Sequence, residues 1–159
     1  MDLPREALGM VLACFPAAAA GQEVAIARRR FRRHLRLGPG EQPAPGAAEA
    51  VAEAGGGRVL LVDGQGALHR SLLGDRLAQL AAHNGWSGGV VIGAVRDVEV
   101  IDGIDIGVQA LGVCPVKTDK QGVGDRDVTL LLGSVTVQPG DWLYADRNGV
   151  LVSSEQVIS

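Results

Sequence analysis

Four residues in two short segments have the types and spacing for chemistry. Arg96 and Asp97 stand side by side where the apolar run Gly89–Val95 ends. Gly74 and Asp75 form the second segment, with Asp75 21 positions before Arg96. A guanidinium can grip a carboxylate through two parallel hydrogen bonds, and the same cation can hold an enolate oxyanion. A carboxylate such as Asp97 suits a hard cation such as Mg2+, which takes one or two carboxylates and keeps several waters. Backbone N–H groups near a helix start can hold an anion, and a glycine there lets the ligand approach. The bland readings stand beside these. An Arg-Asp pair is as often a structural ion pair or a helix cap, and Asp75 alone is an ordinary first-turn acid favoured by the helix dipole.

The elements that must position these residues can be read from periodicity. Arg58–Asp63 is a buried strand followed by Gly64-Gln65-Gly66. Leu72–Asn84 has a helical period, with Leu73, Leu77, Leu80 and Ala81 on one face and Asn84-Gly85 as its stop. Gly89–Val95 is the next strand. The order strand, helix, strand implies a right-handed crossover and a parallel pair. In open parallel sheets ligands sit beyond the carboxyl ends of the strands. Two segments reach that edge on this reading: Gly64–Gly66, running on to Gly74-Asp75-Arg76-Leu77, and Arg96-Asp97.

Around this unit, Ala47–Ala54 predicts a short helix stopped by Gly55-Gly56-Gly57. Ile106–Val113 predicts a third strand closed by Cys114-Pro115, and Lys117–Asp127 a polar loop. Val128–Leu132, Val135–Val137, Trp142–Ala145 and Val150–Val152 are short β runs. Pro139-Gly140-Asp141 and Arg147-Asn148-Gly149 separate them as turns. The first 46 residues read less clearly. Ala17–Ala20 and Ala25–Leu37 are compatible with helix, and the six arginines from Arg28 to Arg36 with a solvated helix face or loop or, as the sharper alternative, with a contact to an anion or nucleic acid.

Bulk properties exclude several classes. A chain of 159 residues that is 47% apolar fits one domain with a hydrophobic core. Its net charge of −3, with only Phe31 interleaved among the arginines, argues against nucleic acid as a direct partner. Two cysteines outside any Cys-x-x-Cys pair point to a reduced, cytoplasmic compartment. No apolar run is long enough for a membrane span. Residues 7–20 carry the wrong flanking charges for a secretion signal. Gly64-x-Gly66 lacks the third glycine of a dinucleotide fingerprint. His34, His69 and His83 are scattered without zinc-ligand spacing. Lys117 and Lys120 lie in a polar loop, which disfavours Schiff-base chemistry.

Five stretches taken together carry a resemblance: Val59–Gly66, Leu72–Ala82, Gly85–Asp97, Asp105–Pro115 and Val137–Val152. The last holds the elements Pro139-Gly140-Asp141 and Ala145-Asp146-x-x-Gly149-Val150. They resemble the RraA-like family. That family includes the regulator of ribonuclease activity A and metal-dependent 4-hydroxy-4-methyl-2-oxoglutarate aldolases. Some members also carry the label MenG, demethylmenaquinone methyltransferase, for which this sequence has no glycine-rich nucleoside motif. The aldolase members have a Gly-Asp pair before a helix and an Arg-Asp pair 21 residues after that aspartate, and Gly74, Asp75, Arg96 and Asp97 occupy those places.

The resemblance implies a single α/β domain over residues 1–159, of the layered swivelling β/β/α type, with parallel strands early and β hairpins late. It implies a lyase for small 2-oxo acids, an aldolase or oxaloacetate decarboxylase working through a pyruvate enolate. Gly74, Asp75, Arg76, Leu77 and Arg96 would bind the substrate, Asp75 and Arg96 would be catalytic, and Asp97 would anchor Mg2+ or Mn2+. It implies a homotrimer. It equally implies an alternative, a non-catalytic regulator that binds and inhibits ribonuclease E. Two departures stand out. Residues 1–46 do not show the family's N-terminal strand region, and the longer acidic tail of the aldolases has only Glu155 as a counterpart near Ser159.

Overall fold

The computed structural model describes residues 6–8, 13–15, 29–30, 33–37, 46–118, 124–146 and 149–156. Its centre is a six-stranded sheet. Strands β5 (Val59–Leu73), β6 (Gly88–Val95) and β7 (Gly107–Val113) run parallel and adjacent, with β6 in the middle. Helix α2 (Asp75–His83) makes the crossover between β5 and β6. On the other side of β5 lies β4 (Arg33–Leu37), also parallel, followed by β8 (Gly124–Arg126), antiparallel. Strand β2 (Ala13–Phe15) closes the far edge against β7.

The apolar runs of β5 and β6 are continuous rather than alternating because both faces of this sheet are covered. Leu60, Val62, Val91 and Val95 point to one side. There they pack with α2, with α1 (Gly46–Ala52) and with the short helix α3 (Val98–Ile101), through Ala50, Val51, Ala78, Ala81 and Ile101. Val59, Leu61, Val90 and Ile92 point to the other side. There they meet β9 (Leu130–Leu132) and β10 (Val135–Val137), a hairpin, and the pair β11 (Trp142–Asp146) and β12 (Gly149–Ser153). Strands β1 (Glu6–Leu8) and β3 (Arg29–Arg30) flank that pair as its outer neighbours. The layers are therefore β, β and α, as the resemblance implied.

The structure corrects several sequence expectations. Ala25–Leu37 is not a helix where it is described, since residues 29–30 and 33–37 are strands. Strand β5 needs a parallel neighbour on its open side, and pairing with residues 33–37 overrides local helix propensity. The N-terminal segment thus contributes strands to both larger sheets; Ala17–Ala20 lies outside the described residues.

The first parallel strand also does not stop at Asp63. It leaves the regular register after the Asp63–Ile92 pair, meets β6 again only at Ala67–Gly93 within a largely exposed excursion, and returns to pair Ser71 with Ala94 and Leu73 with Val95. Gln65 and Gly66 take positive φ in this excursion, and Asp63 Oδ1 accepts the Gln65 N–H at 2.9 Å. Leu72 and Leu73 are accordingly strand residues, and the helix begins three positions later than its periodicity predicts. Four elements had no sequence expectation: β1, β2, α3, and β8 inside the expected polar loop.

Candidate functional site

Because β5, β6 and β7 are parallel, Leu73, Val95 and Val113 end at the same sheet edge. The chain leaves that edge at the two segments singled out above. Gly74 precedes α2, and Arg96-Asp97 precedes α3. The Arg96 N–H donates to the Leu73 carbonyl at 2.9 Å, and the Cys114 N–H donates to the Val95 carbonyl at 2.9 Å. These bonds fix where each strand lets its residues go. Gly64–Gly66, by contrast, lies within the excursion of β5 and not between its end and α2. It therefore does not form the strand-to-helix turn that a phosphate-binding loop requires.

Gly74 has an extended backbone that any residue could adopt, φ −136° and ψ −176°. Its need for glycine is spatial. A Cβ there would stand 2.9 Å from both Arg96 Nε and Asp97 Oδ2, and 3.0 Å from Arg96 Cζ. The Gly74 carbonyl accepts the N–H groups of Leu77 and Ala78 at 3.1 Å and so opens the first turn of α2. Asp75 is half-buried in that turn, Arg76 is exposed, and Leu77 packs partly against the helix-side core. Among the described residues the Asp75 carboxylate has no hydrogen-bond or ion-pair partner.

Asp97 occupies the left-handed region, φ 57° and ψ 36°. Aspartate tolerates this better than most residues, and such backbones gather at functional sites. Its carbonyl accepts the N–H groups of Val100 and Ile101 at 3.0 Å, and Ile101 is buried in the core. The Asp97 Cα is therefore held from below. Its Oδ2 pairs with Arg96 Nη1 at 2.7 Å and accepts a long hydrogen bond from the Asp75 N–H at 3.4 Å. Both side chains remain partly exposed.

The site therefore brings together four of the six sequence candidates, Gly74, Asp75, Arg96 and Asp97, while the Leu77 side chain packs on the core and its N–H donates to the Gly74 carbonyl. Arg76 belongs to the same turn but is exposed, and no described contact ties its side chain to the others. Sequence reading did not anticipate the segment that runs on from Cys114. The Ser71 N–H donates to the Val116 carbonyl at 2.8 Å, and Thr118 Oγ1 donates to the Ser71 carbonyl at 2.6 Å. Lys117 pairs with Ser71 as a parallel bridge. This lays residues 114–118 beside the ends of β5 and β6. Pro115 marked the end of β7, but no sequence signal said where the chain would go next.

No group of three or more His, Cys, Asp or Glu side chains gathers among the described residues. The donor set does not suit a cage of protein ligands such as structural zinc requires. It suits a hard cation held by one or two carboxylates with water completing its shell. Asp97 Oδ1, which has no partner among the described residues, is the available ligand atom.

Comparison with known proteins agrees with this architecture. The RraA-like family model (Aldolase/RraA) matches residues 38–152. A relative from Ectopseudomonas mendocina, provisionally named a 4-hydroxy-4-methyl-2-oxoglutarate aldolase, is 57% identical over 107 residues. That match covers 67% of this chain and 66% of the relative, so the chain spans slightly less than two thirds of it. A solved structure described as the RNA-processing inhibitor RraA from Thermus thermophilis is 41% identical, with a TM-score of 0.82. The superposition covers 96% of this chain and 87% of that one. A Geobacillus kaustophilus structure, described as an S-adenosylmethionine:2-dimethylmenaquinone methyltransferase, is 34% identical with a TM-score of 0.80. It covers 96% of this chain and 89% of that one.

Proposed function

This chain belongs to the RraA-like family, and from that premise we propose that it is a divalent-metal-dependent lyase of small 2-oxo acids. The reaction is retro-aldol cleavage of 4-hydroxy-4-methyl-2-oxoglutarate, decarboxylation of oxaloacetate, or both, since each passes through a pyruvate enolate. The observation that supports it most is the convergence of Arg96 and Asp97 on the Gly74-Asp75 start of α2.

The Arg96 guanidinium and the backbone amides of Asp75 and Arg76, at the start of α2, bind the 2-oxo-acid carboxylate. When carbon–carbon cleavage leaves an enolate, the same guanidinium offsets the developing oxyanion. A preorganised donor of this kind is typically worth about 10²–10³ in rate. Asp97 would hold Mg2+ or Mn2+. When bound, the cation supplies Lewis-acid polarisation of the keto oxygen. Asp75 handles the proton. In retro-aldol cleavage it takes the hydroxyl proton through a water as the bond breaks and returns a proton to the enolate carbon. In decarboxylation the bond to CO2 breaks without a proton transfer, and the proton that Asp75 passes to the enolate carbon is drawn from solvent water. Such acid–base help contributes about 10²–10⁴-fold.

The test is pyruvate release from oxaloacetate by purified protein after chelation, with and without added Mg2+ or Mn2+. Metal-dependent release that is lost in Asp97→Ala supports the assignment. An unchanged rate in that variant removes it. The reading includes a homotrimer, for which light scattering should give three times the chain mass.

A second reading has support of its own in the 41% identity to a protein described as an RNA-processing inhibitor. On that reading the chain binds ribonuclease E and slows it without catalysis. Inhibition of purified ribonuclease E by a chain that releases no pyruvate from either substrate would favour it over the lyase.

A further inference from the structure

One oxygen of the chain already sits where a ligand carboxylate would be held. Asp97 Oδ2 lies 2.7 Å from Arg96 Nη1 and 3.4 Å from the first amide of α2, that of Asp75. A Cβ on Gly74 would be 2.9 Å from the same oxygen, so the missing side chain is part of the niche. The backbone of Asp97 is anchored by α3, whereas its side chain is 31% exposed. Exposed side chains change rotamer within nanoseconds, so the carboxylate can leave while its Cα stays.

From these contacts we infer that the Asp97 carboxylate is an exchangeable placeholder for the ligand carboxylate. A divalent cation that captures Asp97 draws it off Arg96 and uncovers the anion niche. With Asp97 Oδ2 on Arg96 the anion niche is covered and only Oδ1 is open to a cation; with Asp97 turned away the carboxylate is free for the cation and the niche for the anion. Each ligand then raises the affinity of the other by the same factor, and metal-free anion affinity is reduced by the fraction of chains with the niche open. The inference rests on the lyase reading only for the class of anion, a 2-oxo acid.

Calorimetric titration of the full chain with pyruvate, at fixed ionic strength and after chelation, tests it. Asp97→Asn and Asp97→Gly both keep a residue that accepts left-handed backbone, and melting curves check that each folds. Without metal, both variants should bind pyruvate about two- to five-fold more tightly than the unaltered chain, the factor expected of a partly exposed ion pair. Added Mg2+ should tighten pyruvate binding by the unaltered chain and leave both variants unmoved. Asp75→Asn removes a neighbouring negative charge without touching the placeholder, so it should show no such gain. An equal gain there would assign the effect to the general field and overturn the placeholder. Unchanged or weaker metal-free binding in both Asp97 variants overturns it too, as does no pyruvate binding under any condition. Failure of the lyase reading looks different: no pyruvate is released from oxaloacetate, yet the titration pattern holds. Metal-dependent turnover with no gain in either Asp97 variant removes the placeholder and leaves the lyase.

Discussion

The Arg96 N–H donates to the carbonyl of Leu73 at 2.9 Å. This bond is the last rung between β5 and β6, and it joins residues that immediately precede or begin the two site segments. Gly74 and Asp75 follow Leu73, and Asp97 follows Arg96. The backbone of the site is therefore tied to the parallel pair beneath it, while the Arg96 and Asp97 side chains remain partly exposed.

Gly74→Ala should separate activity from stability. The new methyl would meet Arg96 Nε and Asp97 Oδ2 at 2.9 Å and push both side chains aside. The backbone at Gly74 is extended, so the substitution adds no strain of its own. We expect kcat/KM to fall by about ten-fold or more, since small misplacements of catalytic groups are costly. The melting temperature should move by only a few degrees. Steady-state kinetics beside thermal melting read both.

Arg96→Lys should behave as a loss, not as a conservative change. Lysine keeps the charge but lacks the planar fork that binds a carboxylate through two bonds. A fall of about 10²-fold in kcat/KM is expected, close to that of Arg96→Ala, in line with the removal of one oxyanion donor. Activity near that of the unaltered chain in the lysine variant would show that charge alone suffices.

Asp75→Asn should lower kcat by about 10²-fold or more with pyruvate binding retained, because the amide cannot move a proton. The Asp75 backbone N–H, which donates to Asp97, is unaffected by the change. A parallel loss of pyruvate affinity would instead make Asp75 a binding residue.

Trp86→Ala tests the packing of the helix layer, far from the chemistry. Trp86 is 3% exposed, its Nε1–H donates to the Glu53 carbonyl at 3.0 Å, and Arg58 lies over its ring at 4.8 Å. It ties the end of α1 to the turn after α2, where the Asn84 amide also donates to the Val51 carbonyl. The truncation should cost about 3–5 kcal/mol, measured by denaturant unfolding. A cost below ~1 kcal/mol would show that this corner is not part of the cooperative core.

Much of the centre was legible in the sequence because its signals are local. The run Gly89–Val95 is apolar on both faces, and Asn84-Gly85 stops the helix before it; the structure has β6 at Gly88–Val95 and Asn84 as the cap of α2. The turn at Pro139-Gly140-Asp141 carried its own chemistry: the Asp141 side chain accepts the Gln138 N–H at 2.7 Å, and Gly140 takes φ 105°. The family pattern then singled out Gly74, Asp75, Arg96 and Asp97 by spacing.

What the sequence alone determined is the crossover unit β5–α2–β6 and the residues at its edge, because periodicity, glycine and turn residues act within a few positions. The tertiary structure decided what depends on partners distant along the chain. Residues 33–37 became a strand because β5 offered them an open edge, and β5 came back to β6 at Ala67, Ser71 and Leu73 because Gly93, Ala94 and Val95 offered them pairing. Only that return places Gly74 where the absence of a side chain matters to Arg96 and Asp97. Strand pairing is a long-range choice, and the geometry of this site is the consequence of one.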